Sequence, residues 1–147
     1  MKSDMTVELA PTFELLNESG KVISSKKFIG TPIVLFFYPG DLTSACLVQL
    51  SAVRDEWSKF MATGAHVFGV SHGTSESHRR FIKHCGLPFS LLVDEKMRTA
   101  KSFKATKTIG KTNVIRRTVI VIDRNGHIVY RKVGMPKHSD ILKHLIK

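Results

Sequence analysis

Apolar and polar positions follow two rhythms along this chain, and each change of rhythm marks an element. Ile33 to Tyr38 is an unbroken β-branched and aromatic run. That is too apolar for a strand with one wet face and predicts a central strand buried on both sides. From Leu47 the apolar residues Leu47, Leu50, Val53, Trp57 and Phe60 return every three or four positions. This predicts an amphipathic helix, with Thr43 or Ser44 available as its N-cap. His66 to Ser71 predicts a second buried strand, and Ser75 to Gly86 a helix that stops at its glycine. Phe89 to Val93 then reads as a short strand and Glu95 to Lys104 as a short basic helix. Arg117 to Ile122 and His127 to Val133 flank the turn Asp123-Arg124-Asn125-Gly126 and predict a hairpin, followed by a closing amphipathic helix over Ser139 to Ile146. Near the start, Thr12 to Leu16 and Lys21 to Ile23 predict another hairpin across Asn17-Glu18-Ser19-Gly20.

Strands alternating with helices, then a hairpin and a last helix, predict an α/β fold: a central mixed β-sheet flanked by helices, with an N-terminal β-hairpin addition. At 147 residues, without an internal repeat or linker, a single domain over 1–147 is expected. A hydrophobic fraction of 42% against 24% charged residues argues against disorder. No apolar run approaches the ~18 residues of a membrane span. Met1 to Pro11 carries Lys2, Asp4 and Glu8 and has no continuous apolar stretch, so it does not read as a secretory signal. An intracellular, cytoplasmic protein is the expectation.

Charge adds one asymmetry. The formal net charge is +11, and residues 96–147 carry 14 Lys and Arg against Asp123 and Asp140 alone. Such a field would give weak association with nucleic acid through residues 96–147, although a solvated basic face is the simpler reading.

The two cysteines, Cys46 and Cys85, are too few for a disulfide framework and have no zinc-ligand spacing. The seven histidines are scattered, so no metal is expected. Redox chemistry or burial remains. Cys46 follows a strand and falls in the first turn of a helix, where unpaired N–H groups and the positive end of the dipole stabilise a thiolate.

Around it, Pro39-x-x-x-Thr43-x-x-Cys46 resembles the signature P-x-x-x-[TS]-x-x-C of the peroxiredoxins, thioredoxin-fold peroxidases. Further blocks extend the likeness: Phe37-Tyr38-Pro39, Arg54-Asp55, Gly69-Val70-Ser71, Ser77-His78, Phe81, Leu87-Pro88-Phe89, Leu91-Leu92, and Arg117-Thr118 through Ile122-Asp123. Together they resemble the bacterioferritin-comigratory or PrxQ branch of the AhpC/TSA family, from about Ala10 onward. The resemblance implies a thiol-dependent peroxidase acting on hydrogen peroxide and small organic hydroperoxides, with Cys46 as the peroxidatic cysteine that cycles through sulfenic acid. Thr43 would set its hydroxyl beside thiolate and peroxide, and Pro39 would wall the pocket. Arg117, rather than its neighbour Arg116, would stabilise thiolate and leaving oxygen. His78 is expected to serve helix packing or hydrogen bonding. No cofactor is implied beyond an external thiol reductant, and a monomer or weak dimer is expected. A disulfide oxidoreductase is disfavoured because there is no Cys-x-x-Cys.

The chain departs from that branch at four places. Ser51 stands where many members carry a resolving cysteine, and Ile82 where others do. Cys85 lies about one helical turn further on: it is either a resolving cysteine, reached only if its helix end shifts, or a small buried hydrophobe. Without it, glutathione, a thioredoxin or a glutaredoxin would reduce the oxidised sulfur, and this one-cysteine cycle is preferred. Gln49 replaces a usual glutamate and Leu47 a usual threonine. Losing the acid would leave the pocket more positive.

Overall fold

The computed structural model describes residues 8–145. In chain order the elements are β1 (Glu8–Leu9), β2 (Glu14–Asn17), β3 (Val22–Ser24), β4 (Ile33–Phe37), α1 (Ser44–Asp55), α2 (Trp57–Met61), β5 (His66–Ser71), α3 (Ser75–Cys85) and β6 (Ser90–Val93). They continue with α4 (Arg98–Ser102), β7 (Thr106–Ile109), β8 (Thr112–Ile115), β9 (Thr118–Ile122), β10 (His127–Val133) and α5 (His138–Leu142). Eight strands form one mixed sheet in the order β1-β10-β9-β4-β5-β6-β2-β3.

The middle of the sheet is parallel, β4 beside β5 and β5 beside β6, while β9 runs antiparallel on the other side of β4. Parallel neighbours cannot be joined by a tight turn, so α1 with α2 and then α3 make the crossovers. All five residues of β4 are buried. Their alternation feeds two cores: Val34 and Phe36 pack with residues of α1, α2, α3 and α5, whereas Ile33, Leu35 and Phe37 pack with Phe13, Ala100, Phe103 and Ile115. The sheet is therefore covered by helices on both faces, more heavily on the face that carries Cys46.

Several boundaries differ from the sequence expectation. The N-terminal hairpin is present as β2 and β3, shifted toward the chain end, and β2 also pairs with β6. The long helix breaks at Glu56, whose N–H is shared between the carbonyls of Ala52 and Val53. A rhythm of three and four spans such a break because α1 and α2 bury the same side. The basic helix is confined to α4, and the next residues form the separate hairpin β7–β8. Apart from Ile115, which is buried at its end, that hairpin is exposed or half-buried, so no hydrophobic alternation announced it. The last helix ends at Leu142, and Ile146, expected within it, lies outside the described residues. The two-residue β1 pairs with β10, too short for a periodic signal.

One consequence matters for chemistry. Parallel β4 and β5 and the N-termini of α1 and α3 meet at one edge of the sheet, and the antiparallel register Phe37↔Thr118 brings the start of β9 to that same edge.

Candidate active site

The loop leaving β4 places the cysteine. Tyr38 continues the strand, its N–H donating to the Val70 carbonyl at 3.1 Å. Pro39 and Gly40 turn the chain, half-buried. Leu42 then takes φ 60°, a left-handed conformation costing a leucine about 1 kcal/mol. Thr43 occupies the N-cap position of α1 but makes no side-chain cap bond; its hydroxyl donates instead to the Gly40 carbonyl at 3.2 Å. The helix ladder opens with Leu47 N–H on the Thr43 carbonyl at 2.8 Å. Cys46, one residue earlier, thus sits among the first-turn N–H groups without intrahelical partners.

Cys46 is fully buried, at 0% exposure. Arg117, just before β9, reaches it across the sheet edge: Nη2 donates to Sγ at 3.2 Å, and Nη1 donates to Gln49 Oε1 at 2.8 Å. Residues 46 and 49 share one helix face, so the planar guanidinium spans sulfur and carboxamide together. Gln49 is neutral, which leaves the full positive charge of Arg117 to the sulfur. The neighbouring Arg116 side chain is exposed.

Beside Gln49 a groove of about 490 Å³ runs between α1 and the segment before α5, lined by Val48, Ala52, Met135, Pro136 and Ile141 among others. His138 Nδ1 and Glu56 Oε1, 2.5 Å apart, close its far end.

Cys85 is elsewhere. It ends α3, is 8% exposed, and shares the apolar cluster of Cys46 while both remain free thiols. Its carbonyl accepts a hydrogen bond from Arg54. Arg54 lies eight residues beyond Cys46 on α1, about 12 Å along the axis at ~1.5 Å per residue. A disulfide needs Cα atoms within about 7 Å, and here the two cysteines sit at opposite ends of their helices as free thiols.

Sequence reasoning passed over a polar cluster behind the loop. The Asp41 carboxylate accepts from Tyr38 Oη at 2.7 Å, from Ser77 Oγ, and from His78 Nδ1 at 2.7 Å. Burial alone would raise its carboxyl, but the hydrogen bonds from His78, Ser77 and Tyr38 outweigh it and hold the group below the ordinary aspartate range. Burial, followed by the Asp41 charge, pushes the Tyr38 phenol well above its usual value, so it stays a donor. Of the two roles expected of His78, hydrogen bonding is realised: its Nε2 also lies 2.9 Å from the Leu92 carbonyl on β6. The text Tyr38…Asp41 and Ser77-His78 held the residues, but nothing in one sequence says that the two pieces meet.

Among the described residues, no three His, Cys, Asp or Glu side chains are grouped to hold a metal ion, and no helix is long and apolar enough to cross a membrane.

The chain resembles known proteins along most of its length. The AhpC/TSA family model matches residues 7–131. The chloroplastic peroxiredoxin Q of Sedum lineare is 41% identical over 133 residues, 88% of this chain and 71% of that protein. Peroxiredoxin Bcp of Bacillus subtilis is 35% identical over 143 residues, 91% of each. Other plant relatives are longer, and the chain spans 55% to 63% of their length. The solved structure of Xanthomonas campestris peroxiredoxin Q superposes with a TM-score of 0.81 at 26% identity, covering 90% of this chain and 89% of that one. A strand, a turn, and a buried cysteine at a helix start beside an arginine thus occur in a chain whose relatives are named peroxiredoxins. The chain belongs to the AhpC/TSA family, alongside the peroxiredoxins Q and Bcp.

Proposed function

We propose that Cys46 is the peroxidatic residue of a thiol peroxidase that reduces hydrogen peroxide and small organic hydroperoxides. The observation that carries this is the Arg117 guanidinium 3.2 Å from the sulfur of a fully buried cysteine in the first turn of a helix. The thiolate attacks the terminal peroxide oxygen, the O–O bond breaks, and the sulfur is oxidised to sulfenic acid. The departing hydroxide or alkoxide takes a proton and leaves as water or alcohol. Arg117 stabilises the thiolate and the charge growing on the leaving oxygen, and the Cys46 N–H assists from the helix start. The Thr43 hydroxyl contacts the peroxide, and Pro39 walls the pocket without adding an N–H that needs a partner.

For turnover, one external thiol condenses with the sulfenic acid, releasing water and forming a mixed disulfide; a second restores Cys46 and leaves as the disulfide. Glutathione, a glutaredoxin or a thioredoxin fits that role. The position of Cys85 at the far end of α3, with its carbonyl held by Arg54, favours this one-cysteine cycle. Two free thiols suit a reducing compartment such as the cytoplasm. The test is Cys46→Ser: thiol-dependent peroxide consumption disappears while the circular dichroism spectrum stays, and retained activity overturns the assignment.

A second reading adds a weak nucleic-acid contact. Lys96, Arg98 and Lys101 line a groove against the β7–β8 hairpin together with Asn113, a row of cations suited to phosphates. Salt-sensitive retention of single-stranded nucleic acid tests it, and no retention at low salt removes it. Sedimentation tests the monomer or weak dimer expected of the chain.

A further inference from the structure

Asp41 stands two residues before Thr43 and five before Cys46, yet none of its side-chain hydrogen bonds is made to the sulfur. Tyr38 reaches it from the end of β4, and Ser77 and His78 from the first turns of α3. The Asp41 side chain is 4% exposed and that of His78 is 0%. His78 is held between two acceptors, the carboxylate at 2.7 Å and the Leu92 carbonyl at 2.9 Å. Both ring nitrogens are thereby engaged, and every polar group of the cluster has a partner. Such a buried cluster specifies geometry, because loss of one member leaves the polar atoms of the others unsatisfied.

The tethered segment needs holding. Leu42, between Asp41 and Thr43, lies at φ 60°, where an unconstrained leucine rarely stays. Gly73 shows how closely the surroundings fit: a Cβ there would overlap Asp41 Oδ2 and stand 3.1 Å from the His78 ring.

We propose that Asp41 is a positioning residue for peroxide reduction: its carboxylate, clamped by Tyr38, Ser77 and His78, pins the loop over Pro39 to Thr43 against α3 and the sheet. The clamp sets where the Thr43 hydroxyl and the first turn of α1 stand relative to the peroxide, so it acts on the encounter between Cys46 and substrate. The inference rests on Cys46 being the peroxidatic residue.

The experiment compares wild type with Asp41→Asn, and uses Tyr38→Phe as a milder second variant that keeps ring and carboxylate. Stopped-flow rate constants are measured for hydrogen peroxide and, separately, for iodoacetamide, which needs the thiolate but no peroxide pocket. Misplacement of a reacting group by about 1 Å costs about 10²-fold. Asp41→Asn is therefore expected to slow peroxide by about that factor while alkylation is not slowed. Tyr38→Phe, which removes one hydrogen bond to a charged group, is expected to slow peroxide by about tenfold. A purely structural role would lower the unfolding temperature but leave the peroxide rate of the folded protein unchanged. Peroxide rates within twofold of wild type in Asp41→Asn, or in Tyr38→Phe if the first variant does not fold, overturn the proposal. Equal slowing of both reagents also overturns it, since the thiolate and not its placement would then be altered. A wild-type protein that consumes no peroxide instead removes the underlying function, a result that separates the two failures.

Discussion

Cys46 and Cys85 share one apolar cluster and are both buried, yet they occupy opposite ends of their helices. Cys46 lies in the first turn of α1, where N–H groups and the dipole favour negative charge, and receives a guanidinium donor on its sulfur. Cys85 is the last residue of α3, where carbonyls gather and the dipole disfavours a thiolate; its arginine, Arg54, is spent on the backbone carbonyl. Burial by itself therefore says nothing about reactivity. What differs is the sign of the local field and the atom at which the nearest cation points.

The most direct way to break this contrast is to exchange the sulfurs for oxygen. Cys46→Ser is expected to abolish thiol-dependent peroxide consumption, and Cys85→Ser to leave the rate of the first oxidation unchanged, both followed by peroxide loss. Peptide mapping after one equivalent of peroxide is expected to show oxidised Cys46 beside free Cys85; a bond between them would replace the one-cysteine cycle with a two-cysteine one.

Arg117→Met is next in size. Removing a preorganised donor from developing charge costs about 10²- to 10³-fold, and the ultraviolet absorbance of the thiolate at neutral pH should fall with it. Arg117→Lys keeps the charge but loses the fork spanning Cys46 and Gln49, so an intermediate rate is expected.

Gln49→Glu sharpens the comparison from the other side. A carboxylate in place of the carboxamide that accepts from Arg117 at 2.8 Å neutralises part of the field at Cys46 alone. A drop of about tenfold in peroxide rate is expected, with iodoacetamide labelling of Cys46 slowed and that of Cys85 unaffected.

The smallest effect concerns acid. The Asp41 carboxyl is held below its ordinary range in the folded protein. Its contribution to stability is therefore complete above the unfolded aspartate value, near about 3.9, and is lost as pH falls through the lower folded value. Asp41→Asn should be less stable at neutral pH and should lose less on acidification, as followed by circular dichroism in an acid titration.

Much of the fold was legible because its signals are local. The apolar run of β4, the three-four rhythm of α1 and the Asn125-Gly126 turn are each contained in about ten residues. What escaped was either too exposed to carry a hydrophobic pattern, as in β7–β8, or too short, as in β1. The helix break at Glu56 escaped because both halves bury the same side.

The site divides along the same line. Local order is enough to put Cys46 at a helix start behind Pro39 and Thr43, because strand, turn and helix follow one another without interruption. Thr43 stands at the N-cap position the sequence offered it, although its hydroxyl donates to the Gly40 carbonyl instead of accepting from the helix. The family resemblance named Arg117 for the sulfur, 71 residues away, and the tertiary structure supplies the contact; only the tertiary structure decided that Gln49 shares that arginine, that Arg54 binds the Cys85 carbonyl, and that Asp41 meets His78. Those meetings depend on the register of β9 against β4 and on the packing of α3 over β6, which pair segments distant in sequence and leave no periodic trace in either one.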